Sequence, residues 1–132
     1  MKLSRLLPIV LLLALAAGAP LLAATANFQG NCASGIPTVC SFDAGRAPAG
    51  QSTTSCGLVR VNQYFWNFDS GSSTAYLWTT SATASYTYTG AYCDFVDLAV
   101  FCNDNTSATK SHCLCNNIGI GGCIIPGAGW TP

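Results

Sequence analysis

The only histidine of the chain, His112, stands beside Cys113 and Cys115, with Cys123 a few residues on. Imidazole and thiolates suit zinc, but structural zinc sites space paired cysteines by two or more residues, and here one residue intervenes. Asp43, Asp69 and Asp104 offer oxygens to calcium, which needs about six or more of them, and no dense acidic loop supplies that number. Asp94 and Asp97 lie three apart on what reads as a strand, so they fall on opposite faces, unlike the facing carboxylates of glycoside hydrolysis. The sequence contains no glutamate, no Gly-x-Ser-x-Gly and no His-Glu-x-x-His. A nominal His/Ser/Asp set is unavoidable in a serine-rich chain and means nothing without geometry. The reading is that the chain is no enzyme and carries no metal or cofactor. The chemistry left is aromatic: Tyr64, Phe65, Trp66 and Phe68, then Tyr76 and Trp78, then Tyr86, Tyr88 and Tyr92.

The N-terminus predicts where those aromatics work. Lys2 and Arg5 precede an almost wholly apolar run from Leu6 to Leu22, and Ala24-Thr25-Ala26 is a small-x-small site for cleavage before Asn27. Residues 1–26 therefore read as a signal peptide; the competing reading is a retained anchor, against which Pro8, Gly18 and Pro20 interrupt the run. The remainder is long enough for one domain. All eight cysteines lie in it: Cys32, Cys40, Cys56, Cys93, Cys102, Cys113, Cys115 and Cys123. An even count behind a leader predicts disulfides and a secreted or extracellular protein, with the periplasm or a cell surface as variants. Without the leader the basic residues are Arg46, Arg60 and Lys110, against five aspartates. No basic patch exists to hold phosphates, which argues against nucleic acid as a partner and against membrane association once the leader is cleaved.

Short alternating runs bounded by turn residues recur along the chain, and no helical period is sustained. Strands are expected at Ala26 to Gly30, Thr38 to Asp43, Arg60 to Phe68, Ala75 to Thr79, Ala84 to Thr89, Tyr92 to Cys102 and Ser111 to Cys115. Alternation in the third places Tyr64, Trp66 and Phe68 on the more apolar face, hence in the core, with Val61, Gln63, Phe65 and Asn67 opposite. In the sixth, Val96, Leu98, Val100 and Cys102 share a face, and Asp94 at an apolar parity predicts a bulge or a two-residue insertion around Cys93-Asp94. About seven short strands at this spacing predict an all-β fold, a disulfide-stabilised two-sheet sandwich of immunoglobulin-like type.

Phe42-Asp43-Ala44, then Tyr64-Phe65-Trp66-Asn67-Phe68-Asp69-Ser70-Gly71, then Tyr86-Thr87-Tyr88-Thr89-Gly90-Ala91-Tyr92 leading to Val96, Leu98 and Val100 together resemble the PKD (polycystic kidney disease) domain. Asn67 replaces the usual Asp, and Asp69-Ser70-Gly71 replaces Gly-Asp-Gly, so the turn uses different residues. The resemblance spans roughly Ala26 to Cys115; residues 27–115 form the expected domain and residues 116–132 a cysteine-pinned tail without counterpart. It implies a non-catalytic extracellular module that contacts protein or carbohydrate or acts as a spacer.

Eight cysteines allow about 105 complete pairings. Cys32 and Cys40 flank Gly35-Ile36-Pro37 and are expected to bridge locally. Cys102 and Cys113 are equidistant from Ser107-Ala108 and are expected to face each other across a hairpin, leaving Cys115 with Cys123 and Cys56 with Cys93. Trp66 and Phe68 are expected in the core, whereas Tyr76 and Trp78, flanked by small or polar residues, are the preferred exposed ligand-binding pair for a protein or polysaccharide. The other reading is a small secreted effector or inhibitor working through its tail, where Ile124-Ile125-Pro126 and Trp130 could insert into a partner. A third is that the tail covers a sheet edge. Asn105-Thr106-Ser107 matches a glycosylation acceptor, relevant only to secretion through an endoplasmic reticulum.

Overall fold

A computed structural model describes residues 23–115, 123–125 and 129–130. Most of the expected signal peptide and most of the tail lie outside the described residues. The strands are β1 (Gln29–Cys32), β2 (Thr38–Asp43), β3 (Val61–Asn67), β4 (Tyr76–Thr79), β5 (Thr83–Tyr88), β6 (Cys93–Cys102), β7 (Ser107–Cys115), β8 (Ile124–Ile125) and β9 (Gly129–Trp130). One sheet has the order β1-β2-β5, the other β4-β3-β6-β7-β8-β9. The first seven strands pair antiparallel throughout, and β8 joins β7 in parallel through Leu114 and Ile124. Three strands against the four of β4-β3-β6-β7, which the short β8 and β9 extend at the β7 edge, make an immunoglobulin-like sandwich. The expected first strand begins later than predicted; upstream of β1, Thr25 bridges Ser55 instead.

Period-2 alternation divides the aromatics between the core and the surface. Trp66 is 0% exposed and Phe68 is buried with Val96, Leu98 and Val100, as their parity predicts. Trp66 meets Phe28 edge-on at 5.2 Å and Phe42 at 5.8 Å, and Phe68 lies 5.6 Å from Phe42. The two sheets are therefore joined by rings: Phe42 comes from β2, Trp66 from β3, and Phe28 and Phe68 from the residues flanking β1 and β3. Such pairs add about 0.5–1.5 kcal/mol each beyond the area they bury. Gly30 on β1 lies against Ile124 and Phe42, where no side chain would fit without displacing them.

Three expectations are corrected by the β6–β7 hairpin. The turn lies at Cys102 to Thr106, not Ser107-Ala108: Asn105 takes a left-handed φ of 64° and donates its N–H to Cys102 O, while Asp104 Oδ1 accepts the Thr106 N–H and hydroxyl. An Asp-Asn pair is a strong turn former, so β7 starts at Ser107 rather than Ser111. The register then opposes Cys93 to Cys115 and Phe95 to Cys113. Accordingly Cys93 bonds Cys115, Cys113 bonds Cys123, and Cys56 bonds Cys102, in place of the expected Cys115–Cys123, Cys102–Cys113 and Cys56–Cys93; Cys32–Cys40 pairs as its spacing predicts. Nor is there a bulge at Cys93-Asp94: the register runs without a shift, and the irregularity falls between Val61 and Gln63 where β3 meets β6. Asp94 tolerates its inward parity because it is exposed, beyond the end of the core, where it accepts the Ser70 hydroxyl.

The described part of the tail is structural. Ile124 is fully buried, and β8 and β9 extend the sheet from the β7 edge. Ile124 is thus unavailable for insertion into a partner; Ile125, Pro126 and Trp130 carry no described side-chain environment. The Cys56–Cys102 bond closes a separation of 46 residues and Cys32–Cys40 one of 8. By loop-closure entropy their contributions are about 4 and about 2.5 kcal/mol.

Trp66→Ala is expected to lower the unfolding free energy by about 3–5 kcal/mol, the cost of a large core truncation. Trp78→Ala, which removes a half-exposed ring in contact with Phe65 and Phe101, should cost only about 1–2 kcal/mol. Denaturant melts with disulfides intact measure both; comparable losses at the two positions would refute the assignment of Trp66 to the core and Trp78 to the surface.

Candidate functional site

The outer face of the larger sheet carries the aromatics that the core does not use. Phe65 on β3 is directly opposite Trp78 on β4, and Asn67 opposite Tyr76. Tyr76 is 54% exposed and Trp78 49%, so both predicted ligand residues stand on the surface. Phe65 lies 4.6 Å from Trp78 and 5.9 Å from Tyr76, and Trp78 reaches over β3 to Phe101 of β6 at 5.4 Å. Small Ala99, opposite Phe65 on β6, leaves that crossing open. Four rings form one patch bordered by polar groups: Gln63 opposite Phe101, and Asn67 between Tyr76 and Asp97. Asp97 accepts the Ser111 hydroxyl at 2.6 Å. Exposed ring faces flanked by amide and carboxylate are suited to stacking with a ligand while hydrogen-bonding its hydroxyls or peptide groups.

Phe65 and Phe101 complete a site of which the sequence points out only Tyr76 and Trp78. Their alternation already placed both away from the core side chains; what the sequence lacks is the strand order β4-β3-β6, which brings those positions together.

A second concavity, of about 240 Å³, lies among Asp69, Tyr86, Tyr88, Gly90 and Tyr92. Two of its three phenols are already engaged: Tyr88 donates to Phe68 O at 2.5 Å and Tyr92 to Phe95 O at 3.0 Å. Burial, and then the neighbouring Tyr92, Tyr86 and Asp69, push the Tyr88 phenol upward. Burial, with Asp69, Asp94 and Asp97 nearby, does the same to Tyr92. Both are held as neutral hydrogen-bond donors to backbone. This cleft braces the chain and is smaller than the roughly 300 Å³ at which ligand pockets begin.

The remaining candidates have structural partners. His112 Nε2 lies 2.9 Å from Asn27 Oδ1, an amide oxygen that also accepts the Phe28 N–H, and the imidazole packs edge-on against Phe28. Cys113, Cys115 and Cys123 are in disulfides. Asp43 accepts the Gly45 N–H and pairs with Arg46 at 3.4 Å, and Asp69 accepts the Gly71 N–H, so these carboxylates brace their own turns, as Asp104 does. Among the described residues no group of three or more histidines, cysteines or acids could hold a metal ion.

No protein-family model matches the sequence, and no curated protein matches it. Among solved structures the chain is similar to the PKD1 domain of the metalloprotease PrtV from Vibrio cholerae, with 21% identity, a TM-score of 0.49, and coverage of 71% of this chain and 96% of that one.

Burial, and secondarily Lys110, push the His112 imidazole down to about 4 from its ordinary 6.5. As pH falls below 6.5 the unfolded chain takes up the proton first, so the stability this group contributes is complete above that value and drains away toward about 4. His112→Gln, which removes the titrating group, should flatten the fall in melting temperature across this window. Equal slopes in the two proteins would contradict a buried neutral imidazole.

Proposed function

We propose that the chain is a secreted, non-catalytic recognition module that holds a protein or polysaccharide partner against the outer face of its larger sheet. The observation that carries this reading is the patch of exposed Tyr76 and Trp78 with half-buried Phe65 and Phe101, whose successive rings lie 4.6–5.9 Å apart along the strip. Scarcity of charge supports a neutral ligand over an ionic one: the patch contains no cation, and its one carboxylate, Asp97, is occupied by Ser111. Disulfide pairing of all eight cysteines supports an oxidising compartment, reached through cleavage of the N-terminal leader.

Affinity electrophoresis through gels containing neutral polysaccharides, alongside pull-down from cell-surface extracts, tests the reading. Trp78→Ala should weaken retention about tenfold, the equivalent of one lost stacking contact. Val39→Ala, an exposed change on β2 of the smaller sheet, should leave retention intact. Undiminished retention by Trp78→Ala would remove the patch from consideration.

A further inference from the structure

Strand β4 shows three consecutive large apolar side chains to solvent: Tyr76 at 54%, Leu77 at 39% and Trp78 at 49%. A strand packed on one side should bury every second residue, so this run marks a surface awaiting cover. β4 also ends its sheet, pairing with β3 and nothing beyond it among the described residues. The ladder shows which backbone groups are unpaired. Phe68 N–H donates to Ala75 O at 2.8 Å. Antiparallel alternation then makes Trp66–Leu77 and Tyr64–Thr79 the hydrogen-bonded pairs. Leu77 and Thr79 aim their amides and carbonyls at β3, and Tyr76 and Trp78 aim theirs outward.

We propose that β4 pairs antiparallel with β4 of a second copy of this chain, Tyr76 opposite the partner's Trp78 and Leu77 facing the partner's Leu77 on a two-fold axis. The segment is complementary to itself in this register. The outward amides and carbonyls of Tyr76 and Trp78 match those of the partner's Trp78 and Tyr76, forming two complete hydrogen-bonded pairs. An aromatic ring lies opposite an aromatic ring on the outer face, twice, and leucine meets leucine at a non-hydrogen-bonded position, where opposed side chains come closest.

Charge agrees with this occupant. Tyr76 to Thr79 contains no lysine, acid or proline, the devices that commonly protect an edge, so two copies meet without repulsion. Ser73-Thr74 and Thr80-Ser81 flank the strand with small side chains. An isologous interface of this kind closes at two copies. The cover it provides is well below the roughly 800 Å² per partner of a stable complex, so the dimer is reversible and concentration-dependent. Pairing would join the two larger sheets and align the aromatic strips of both copies into one.

Sedimentation of the purified protein from micromolar to millimolar concentration should show the mass rising from monomer to dimer, without any ligand. Leu77→Lys and Leu77→Glu each place like charges across the axis and should remain monomeric throughout; an equimolar mixture should recover the dimer. Amide exchange at Tyr76 and Trp78 should slow in the wild type on concentration. A mass that stays monomeric at millimolar concentration overturns the proposal, as does a dimer that survives both substitutions. If the variants fail to fold, exchange in the wild type decides: fast Tyr76 and Trp78 amides in a dimeric sample rule out this edge.

Discussion

The two sheets meet through the ring of Trp66, and the position of almost everything else depends on that contact. A side chain of this size at the middle of β3 fixes the parity of the strand, because a slip of one residue would send Trp66 to solvent and Phe65 into the core. With parity fixed, Phe68 follows Trp66 inward against Phe42 and Tyr86, while Phe65 and Asn67 are committed to the outer face. The same alternation on β6 puts Val96, Leu98 and Val100 beneath Trp66 and leaves Asp97, Ala99 and Phe101 outside. Burying Trp66 and displaying Phe65 are thus one constraint seen from two sides.

A stabilised scaffold allows the surface to remain apolar. Four disulfides tie segments that the small core holds only weakly: Cys56–Cys102 anchors the loop before β3 to the end of β6, and Cys113–Cys123 fastens the tail so that Ile124 can close the core beside Gly30. His112 and Asn27 form a buried polar link whose hydrogen bonds extend to Ser52, with Thr54 completing the clamp on Asn27. These groups look like chemistry in the sequence and act as bracing in the fold. The tyrosine cluster is similar, since Tyr88 and Tyr92 donate to backbone carbonyls.

Legibility in the sequence followed the range of the interactions concerned. Period-2 alternation is local, so strand identities, the inward parity of Trp66 and Phe68 and the exposure of Tyr76 and Trp78 could be read directly. The Cys32–Cys40 bridge was legible for the same reason, as it closes one short turn. Pairings across the β6–β7 hairpin depended on where the turn falls, and the Asp104-Asn105 signal, three residues before the assumed centre, moved every partner. Phe101 joined the candidate site only through strand order, a long-range property that no local pattern encodes. Ile124 reads as an exposed apolar tail residue because nothing near it in sequence reveals that Gly30 has left space for it.

The central claim is that alternation along β3, carried through the register onto β4, buries Trp66 and presents Trp78. Nuclear magnetic resonance of the indole N–H groups with a neutral soluble paramagnetic agent measures that division directly. The account predicts strong broadening of the Trp78 indole signal and a Trp66 signal that survives unchanged, in keeping with a Trp66 Nε1 that is buried and has no hydrogen-bond partner among the described residues. Equal broadening of the two signals, or a Trp66 signal lost before that of Trp78, would contradict it.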